Sequence, residues 1–205
     1  MSLQFGVQAC SWSIAAIRPR GGPQVQLVIL DRDGVINFNA GAPVTSEQAG
    51  RVIPGSVEAL ARLNGAGYRV VIASNQPGLR RKALNIETLN AIHHKMQQEL
   101  LEAGGSVDAV FFCPCLPKDA CECMMPSPGM LLEIASRLRI SLAGVPIIGG
   151  SVAAIEAARA AGARPIFVRT GAGGDEKIAE SLVDFESYDN LTAAVDSLLA
   201  ETAPA

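Results

Sequence analysis

Short, uninterrupted apolar runs recur along this chain, separated by stretches that keep helical spacing. Leu27-Val28-Ile29-Leu30, Val70-Val71-Ile72-Ala73, Ala109-Val110-Phe111-Phe112, Val145-Pro146-Ile147-Ile148 and Pro165-Ile166-Phe167-Val168 are the runs. A strand with one wet face alternates polar and apolar residues, so a run with no polar member marks a strand buried on both faces. Between the runs, Val57, Leu60, Ala61 and Leu63 share one helical stripe, stopped by Gly65 and Gly67. Ile86, Leu89, Ile92, Met96 and Leu100 share a second, with Asn85 as its cap and Gly104-Gly105 as its end. Ser127-Pro128 predicts a helix start ahead of Met130, Leu131, Ile134 and Leu138, and Ser151 predicts the cap of a helix from Val152 to Ala161. A sixth short strand is expected near Val183–Phe185 and a last helix over Leu191–Leu199. Such alternation dictates an α/β fold: a doubly wound parallel sheet with helices on both faces. His93 and His94 lie on the second helix. We read both as surface or half-buried residues rather than ligands, because no Cys or carboxylate stands at metal spacing beside them.

The chain has 205 residues, room for one domain over 25–205 behind a loose extension, 1–24, that ends at Pro19-Arg20-Gly21-Gly22-Pro23. Hydrophobic residues at 49% against 18% charged exclude wholesale disorder. Seventeen Lys and Arg against 20 Asp and Glu argue against a nucleic-acid partner. No run approaches the ~18 apolar residues of a membrane span. Arg18 and Arg20 follow the mildly apolar start instead of preceding it, which is backwards for a secretory signal. Val7-Gln8-Ala9-Cys10 gives a faint lipoprotein-like pattern, and the lack of acids before Asp31 leaves a transit peptide as a minority reading. The expectation is a cytoplasmic protein. With no coiled coil or exposed apolar helix in view, it is expected to be a monomer.

In a sheet of this kind the site forms at the carboxyl ends of the strands. The first strand runs into Asp31-Arg32-Asp33-Gly34-Val35-Ile36-Asn37. Two carboxylates two residues apart, on a strand breaking into a glycine turn, can enter one pocket. One can attack phosphorus while the other handles the proton of the leaving oxygen. Solvated turn acids are the alternative, which the buried strand beside them disfavours. The third strand runs into a cluster holding four of the five cysteines, Cys113, Cys115, Cys121 and Cys123. Two Cys-x-Cys pairs across a five-residue loop can close tetrahedrally on one zinc ion. The rival readings are a redox pair or plain buried thiols.

These motifs, with Ser74-Asn75-Gln76-Pro77-Gly78-Leu79 after the second strand and Pro126-Ser127-Pro128-Gly129-Met130 after the cysteines, come in a telling order. Over residues 25–200 the chain resembles the haloacid dehalogenase-like phosphatases, within them the branch acting on heptose bisphosphate and histidinol phosphate. The resemblance implies a Rossmann-type fold with a small metal-bound loop and no large cap domain. It makes Asp31 the nucleophile that forms an aspartyl-phosphate and Asp33 the general acid/base. The Asp31 carboxylate and the Asp33 carbonyl would also bind Mg²⁺. Ser74 would donate to the phosphoryl oxygens with Asn75 beside it, and Arg81 would hold a substrate phosphate, unless it is a solvated charge at a helix start. The substrate would be a small sugar phosphate. The family has Cys-x-His before the metal loop, so Cys115 replaces a His and gives a four-Cys structural zinc site.

The catalytic motifs are degenerate. Where the family reads Cys-Arg-Lys-Pro this chain has Cys123-Met124-Met125-Pro126. Where it reads Gly-Asp, with a second Asp four residues later, the chain has Gly149-Gly150 and Ala154. Glu156 is the only acid between Ile134 and Gly174, and it falls about 200° round the helix from Ala154. Lys118 is the one cation of the cysteine loop that could reach in. In the family the lost Lys, and the Mg²⁺ that the two lost Asp help to bind, cancel phosphate charge, so impaired phosphatase activity is expected. The alternative is a non-catalytic pseudophosphatase that binds a sugar phosphate or a protein partner.

Overall fold

The computed structural model describes residues 26–38, 51–170 and 184–202. The expected extension over 1–24, with Cys10, lies outside them. Six strands, β1 Leu27–Leu30, β2 Arg69–Asn75, β3 Ala109–Cys113, β4 Pro146–Gly149, β5 Arg164–Val168 and β6 Glu186–Tyr188, pair in parallel in the order β3-β2-β1-β4-β5-β6. The helices are α1 Ser56–Gly65, α2 Pro77–Arg80, α3 Ile86–Glu102, α4 Gly129–Leu138, α5 Val152–Ala160 and α6 Leu191–Thr202. The doubly wound α/β expectation holds.

The apolar runs become strands because each residue finds a covered face. Val28, Leu30, Val70 and Ile72 point to one side, against Leu60 of α1, Met96 of α3 and Leu191 of α6. Leu27, Ile29, Val71 and Ala73 point to the other, against Leu131 and Ile134 of α4 and Ala157 of α5. Burial of one such Leu or Ile side chain contributes about 1.5–3 kcal/mol, so β1, buried at all four positions, anchors the sheet. The strand order reverses between β1 and β4, and the crevice beyond their carboxyl ends is where a ligand fits such a sheet.

Two expected caps are made: Asn85 Oδ1 accepts from the Thr88 N–H at 2.7 Å, and Ser151 Oγ from the Ala154 N–H at 3.2 Å. The expected start at Ser127 is not. Helix α4 begins at Gly129 with Pro128 at its cap position, because the Ser127 N–H turns back to the Met124 carbonyl at 2.9 Å. The last strand lies at Glu186–Tyr188, past the expected 183–185, where Val183 falls outside the described residues. Its place is set by register, Ile166 opposite Glu186 and Val168 opposite Tyr188, and its half-buried side chains leave little apolar signal. His93 is buried, contrary to the expectation of a surface or half-buried residue. It falls between Leu89 and Met96 on the buried stripe of α3. Among the described residues no helix is long and apolar enough to cross a membrane.

Candidate active site

The chain leaves β1 at Asp31, whose N–H still bonds the Ile148 carbonyl of β4 at 2.9 Å, and bends at once into a turn. Gly34 makes that turn at φ +85°, which side-chain-bearing residues rarely adopt. Burial pushes the Asp31 carboxyl up from its ordinary 3.8 to about 7, and the Asp33 charge adds to it. The Arg32 and Asp33 backbone N–H groups and the Arg32 cation only partly offset this. A group whose folded pKa lies above its unfolded value adds stability fully below about pH 4, and that stability is lost as pH rises toward 7. In magnesium-free buffer, Asp31→Asn is therefore expected to be more stable than the parent at pH 8, by ~2–4 kcal/mol, and nearly equal at pH 4. Urea unfolding at the two pH values checks this. A constant difference between the proteins would show that Asp31 titrates as in the open chain.

Asp33 follows, and its carboxylate is held from three sides. The fully buried Arg32 guanidinium donates from Nε to Oδ1 and from Nη2 to Oδ2, both at 2.8 Å. Gln76, just past β2, donates from Nε2 to Asp33 Oδ2 at 3.0 Å and to Ser74 Oγ at 2.9 Å. The third contact of Arg32 is His93 Nε2 on α3, 3.0 Å from Nη1. Burial, and behind it the Arg32 cation, lowers the His93 pKa to about 3, so the ring is neutral. Asp33 and Ser74 are thus linked through one amide. Asn75 Nδ2 donates to the Met125 carbonyl at 2.9 Å while its Oδ1 accepts from the Met125 N–H at 3.1 Å. Both ends of this side chain hold the segment after the cysteines. Arg81 is exposed at the end of α2 and pairs with none of the described residues.

Two of the three degenerate positions have become core. Met125 and Ala154 are buried in the apolar cluster under α4 and α5, with Cys123 and Met130. At Gly150 a side chain would begin 2.8 Å from the Gly34 carbonyl oxygen, so an acid there requires the Asp31–Asn37 turn to shift. Glu156 is exposed, as its position on the helix implies. Among the described residues the oxygens left for Mg²⁺ are the Asp31 carboxylate and the Asp33 carbonyl, with nothing from Gly150 or Ala154. The residues present do not complete a magnesium shell.

Cys113 ends β3, and Cys115, Cys121 and Cys123 return to it around the short 3₁₀ turn Pro117–Asp119. The four sulfurs lie within 4.8 Å of one another. Cys113 and Cys121 are 3.9 Å apart, close to the ~3.8 Å of sulfurs tetrahedral about a zinc ion at ~2.3 Å, whereas Cys123 Sγ lies nearer, 2.7 Å from Cys113 and 3.0 Å from Cys121. Burial pushes the Cys113 and Cys115 thiols up, so without a cation these two stay protonated. The donor set fits one soft metal ion, whose tetrahedral binding would require Cys123 to move away from Cys113 and Cys121. The Cys113 carbonyl accepts from the Gln76 N–H at 2.7 Å, which ties the cluster to the end of β2.

A relative from Bordetella bronchiseptica, a D-glycero-beta-D-manno-heptose-1,7-bisphosphate 7-phosphatase, is 44% identical over 178 residues, 86% of this chain and 99% of its own. The chain belongs to that family of haloacid dehalogenase-like hydrolases. A Pseudomonas putida protein of the same name is 40% identical over 177 residues, 85% of this chain and 100% of its own. The HAD-hydrolase-like family model matches residues 123–199. The crystal structure of the D,D-heptose 1,7-bisphosphate phosphatase from B. bronchiseptica, complexed with magnesium and phosphate, superposes with a TM-score of 0.83 at 43% identity. That match covers 87% of this chain and 100% of the other.

In a heptose-bisphosphate phosphatase framework, the sequence led to Asp31, Asp33, Ser74, Asn75 and the four cysteines, and the fold brings all of these to neighbouring strand ends. It did not lead to Arg32, Gln76 or His93. Their signals were present: Arg32 stands between the two acids, Gln76 follows Ser74-Asn75, and His93 sits within an apolar stripe.

Proposed function

We propose that this protein is a phosphomonoester phosphatase of heptose-bisphosphate type whose turnover is impaired. It would be one domain over residues 25–205, a monomer in the cytoplasm, with a small sugar phosphate as its partner. The observation that carries the reading is the pair Asp31 and Asp33 beyond β1, with Asp33 joined to Ser74 of β2 through the Gln76 amide, on a chain 44% identical to such an enzyme. An Asp31 oxygen attacks phosphorus and the bond to the sugar oxygen breaks; Asp33 gives that oxygen a proton, for which it must enter the step protonated, with the oxygen that carries the proton released from its Arg32 or Gln76 donor. Asp33 then takes a proton from the water that attacks the aspartyl-phosphate, releasing inorganic phosphate and restoring Asp31. Ser74 Oγ already accepts from Gln76, which leaves its own hydrogen for a phosphoryl oxygen. A zinc ion on Cys113, Cys115, Cys121 and Cys123 holds the neighbouring loop and takes no part in the chemistry.

Each missing electrostatic stabiliser costs on the order of 10²–10³ in rate, less than additively within one site. Release of phosphate from a heptose 1,7-bisphosphate with Mg²⁺ is therefore expected to be measurable but slow, and absent from Asp31→Asn. The burial of Met125 and Ala154 favours a second reading, a member that binds without turnover; the relatives lend it no support over the first. Binding of the bisphosphate that survives Asp31→Asn, with no phosphate released above that control, would decide for it.

A further inference from the structure

We propose that Arg32 and His93 are positioning residues for the acid/base Asp33: His93 accepts from Arg32 and so fixes the guanidinium fork that sets the plane of the carboxylate. The inference rests on the phosphatase reading above and deepens it.

Among the described residues Arg32 is the largest fully buried side chain. A fully buried guanidinium is tolerated only where its N–H groups are met. Position 32 lies where an apolar residue would pack without that demand, between two acids that the chemistry uses. Its side chain folds back on the next residue, and two parallel N–H···O bonds of 2.8 Å leave the Asp33 carboxylate no free rotation. Gln76 adds a third donor to the same carboxylate and relays it to Ser74, so the acid/base and the phosphoryl-contact hydroxyl keep one fixed relation.

The fork itself needs a stop on its far side, and α3 supplies it. Arginine has no acceptor, so the 3.0 Å contact between Arg32 Nη1 and His93 requires a bare Nε2. The hydrogen of the neutral ring is therefore on Nδ1. The buried ring lies beside Phe112 of β3, with centroids 6.4 Å apart and the planes tilted by 49°. Cation, carboxylate and imidazole thus form a row that runs from the helix layer into the site. A core histidine with no role beyond packing has no reason to present a bare nitrogen to a buried arginine.

The test uses the full chain and has a spectroscopic arm and a kinetic arm. The sequence has only two histidines, so His94→Gln assigns His93 at once in long-range ¹H–¹⁵N imidazole spectra. His93 is expected as the Nδ1–H tautomer from pH 5 to 8, and the Arg32 Nε–H as a slowly exchanging signal that moves in Asp33→Asn. In His93→Leu that signal should broaden. In His93→Gln, whose amide oxygen can accept from Nη1, it should recover. With Mg²⁺ and a heptose 1,7-bisphosphate, His93→Leu is expected to lower kcat on the order of 10- to 100-fold at unchanged KM, and His93→Gln to restore most of it. An Nε2–H tautomer, or an Arg32 signal indifferent to Asp33→Asn, overturns the proposal at its geometry. Expected spectra with kcat unchanged in a folded His93→Leu overturn the positioning role alone. Expected spectra with no phosphate release from the parent overturn the phosphatase reading, and the positioning role falls with it.

Discussion

Stripping the zinc ion proposed for the cysteine loop is expected to lower the melting temperature by roughly 10 °C and to open residues 114–124 to protease. Four sulfurs within 4.8 Å of one another, one of them on the fully buried Cys113, cannot all ionise unless a cation stands between them. Zinc supplies ~10–16 kcal/mol to peptides that fold only with it. Here the six-stranded sheet has its own core on both faces, so only the loop depends on the metal and a loss of about 3–5 kcal/mol is expected. For a chain of this length each kcal/mol shifts the midpoint by roughly 2–4 °C. The effect should spread to the active site, because Cys113 bonds Gln76 through the backbone and Asn75 grips Met125, two residues past Cys123. Metal content by mass spectrometry and calorimetry with and without chelator check this, and Cys113→Ser should match the chelated protein. A purified protein with no metal, or a midpoint indifferent to chelation, would show that the cluster is a set of packed thiols.

The sheet was legible because β1 to β5 are buried on both faces and leave unbroken apolar runs. The weak β6, half-buried throughout, left none, and its position came only from pairing with β5. Helix caps read correctly where one side chain decides, as at Asn85 and Ser151. They failed at Ser127, where a backbone bond to Met124 within the cysteine loop competes. In the candidate site, motif spacing located Asp31, Asp33, Ser74 and Asn75. It could not locate their supports, because Arg32, Gln76 and His93 converge from β1, β2 and α3, and that convergence exists only in the folded chain. The sequence also showed charges missing at Met125, Gly150 and Ala154. That two of these positions are now packed core, and the third abuts the Gly34 carbonyl, is a property of the fold.

That property sets the result expected on restoring the charges. The parent's melting temperature should not respond to millimolar Mg²⁺, whereas that of the triple variant Met125→Lys, Gly150→Asp, Ala154→Asp should rise with it. Without the ion, the variant buries a carboxylate at position 154, 2% exposed in the parent, and forces the Gly34 turn outward from position 150. Unpaired buried charge and overpacking each cost several kcal/mol at most sites, so the magnesium-free variant should melt well below the parent. The Met125→Lys change adds less, since a lysine stem can follow the apolar wall that Met125 lines and carry its ammonium outward. With Asp31 and both new acids, Mg²⁺ gains a shell of carboxylates. At about 100 times its dissociation constant it would return ~2.7 kcal/mol to the folded state, or roughly 5–10 °C. Phosphate release should rise in the same variant and follow the same magnesium concentration. A parent that already gains stability from Mg²⁺ to that extent would mean that water and Asp31 suffice to hold the ion. A variant that gains none, though folded, would mean that the Asp31–Asn37 turn has closed the crevice for good, since the carboxylates would be in place with no room between them.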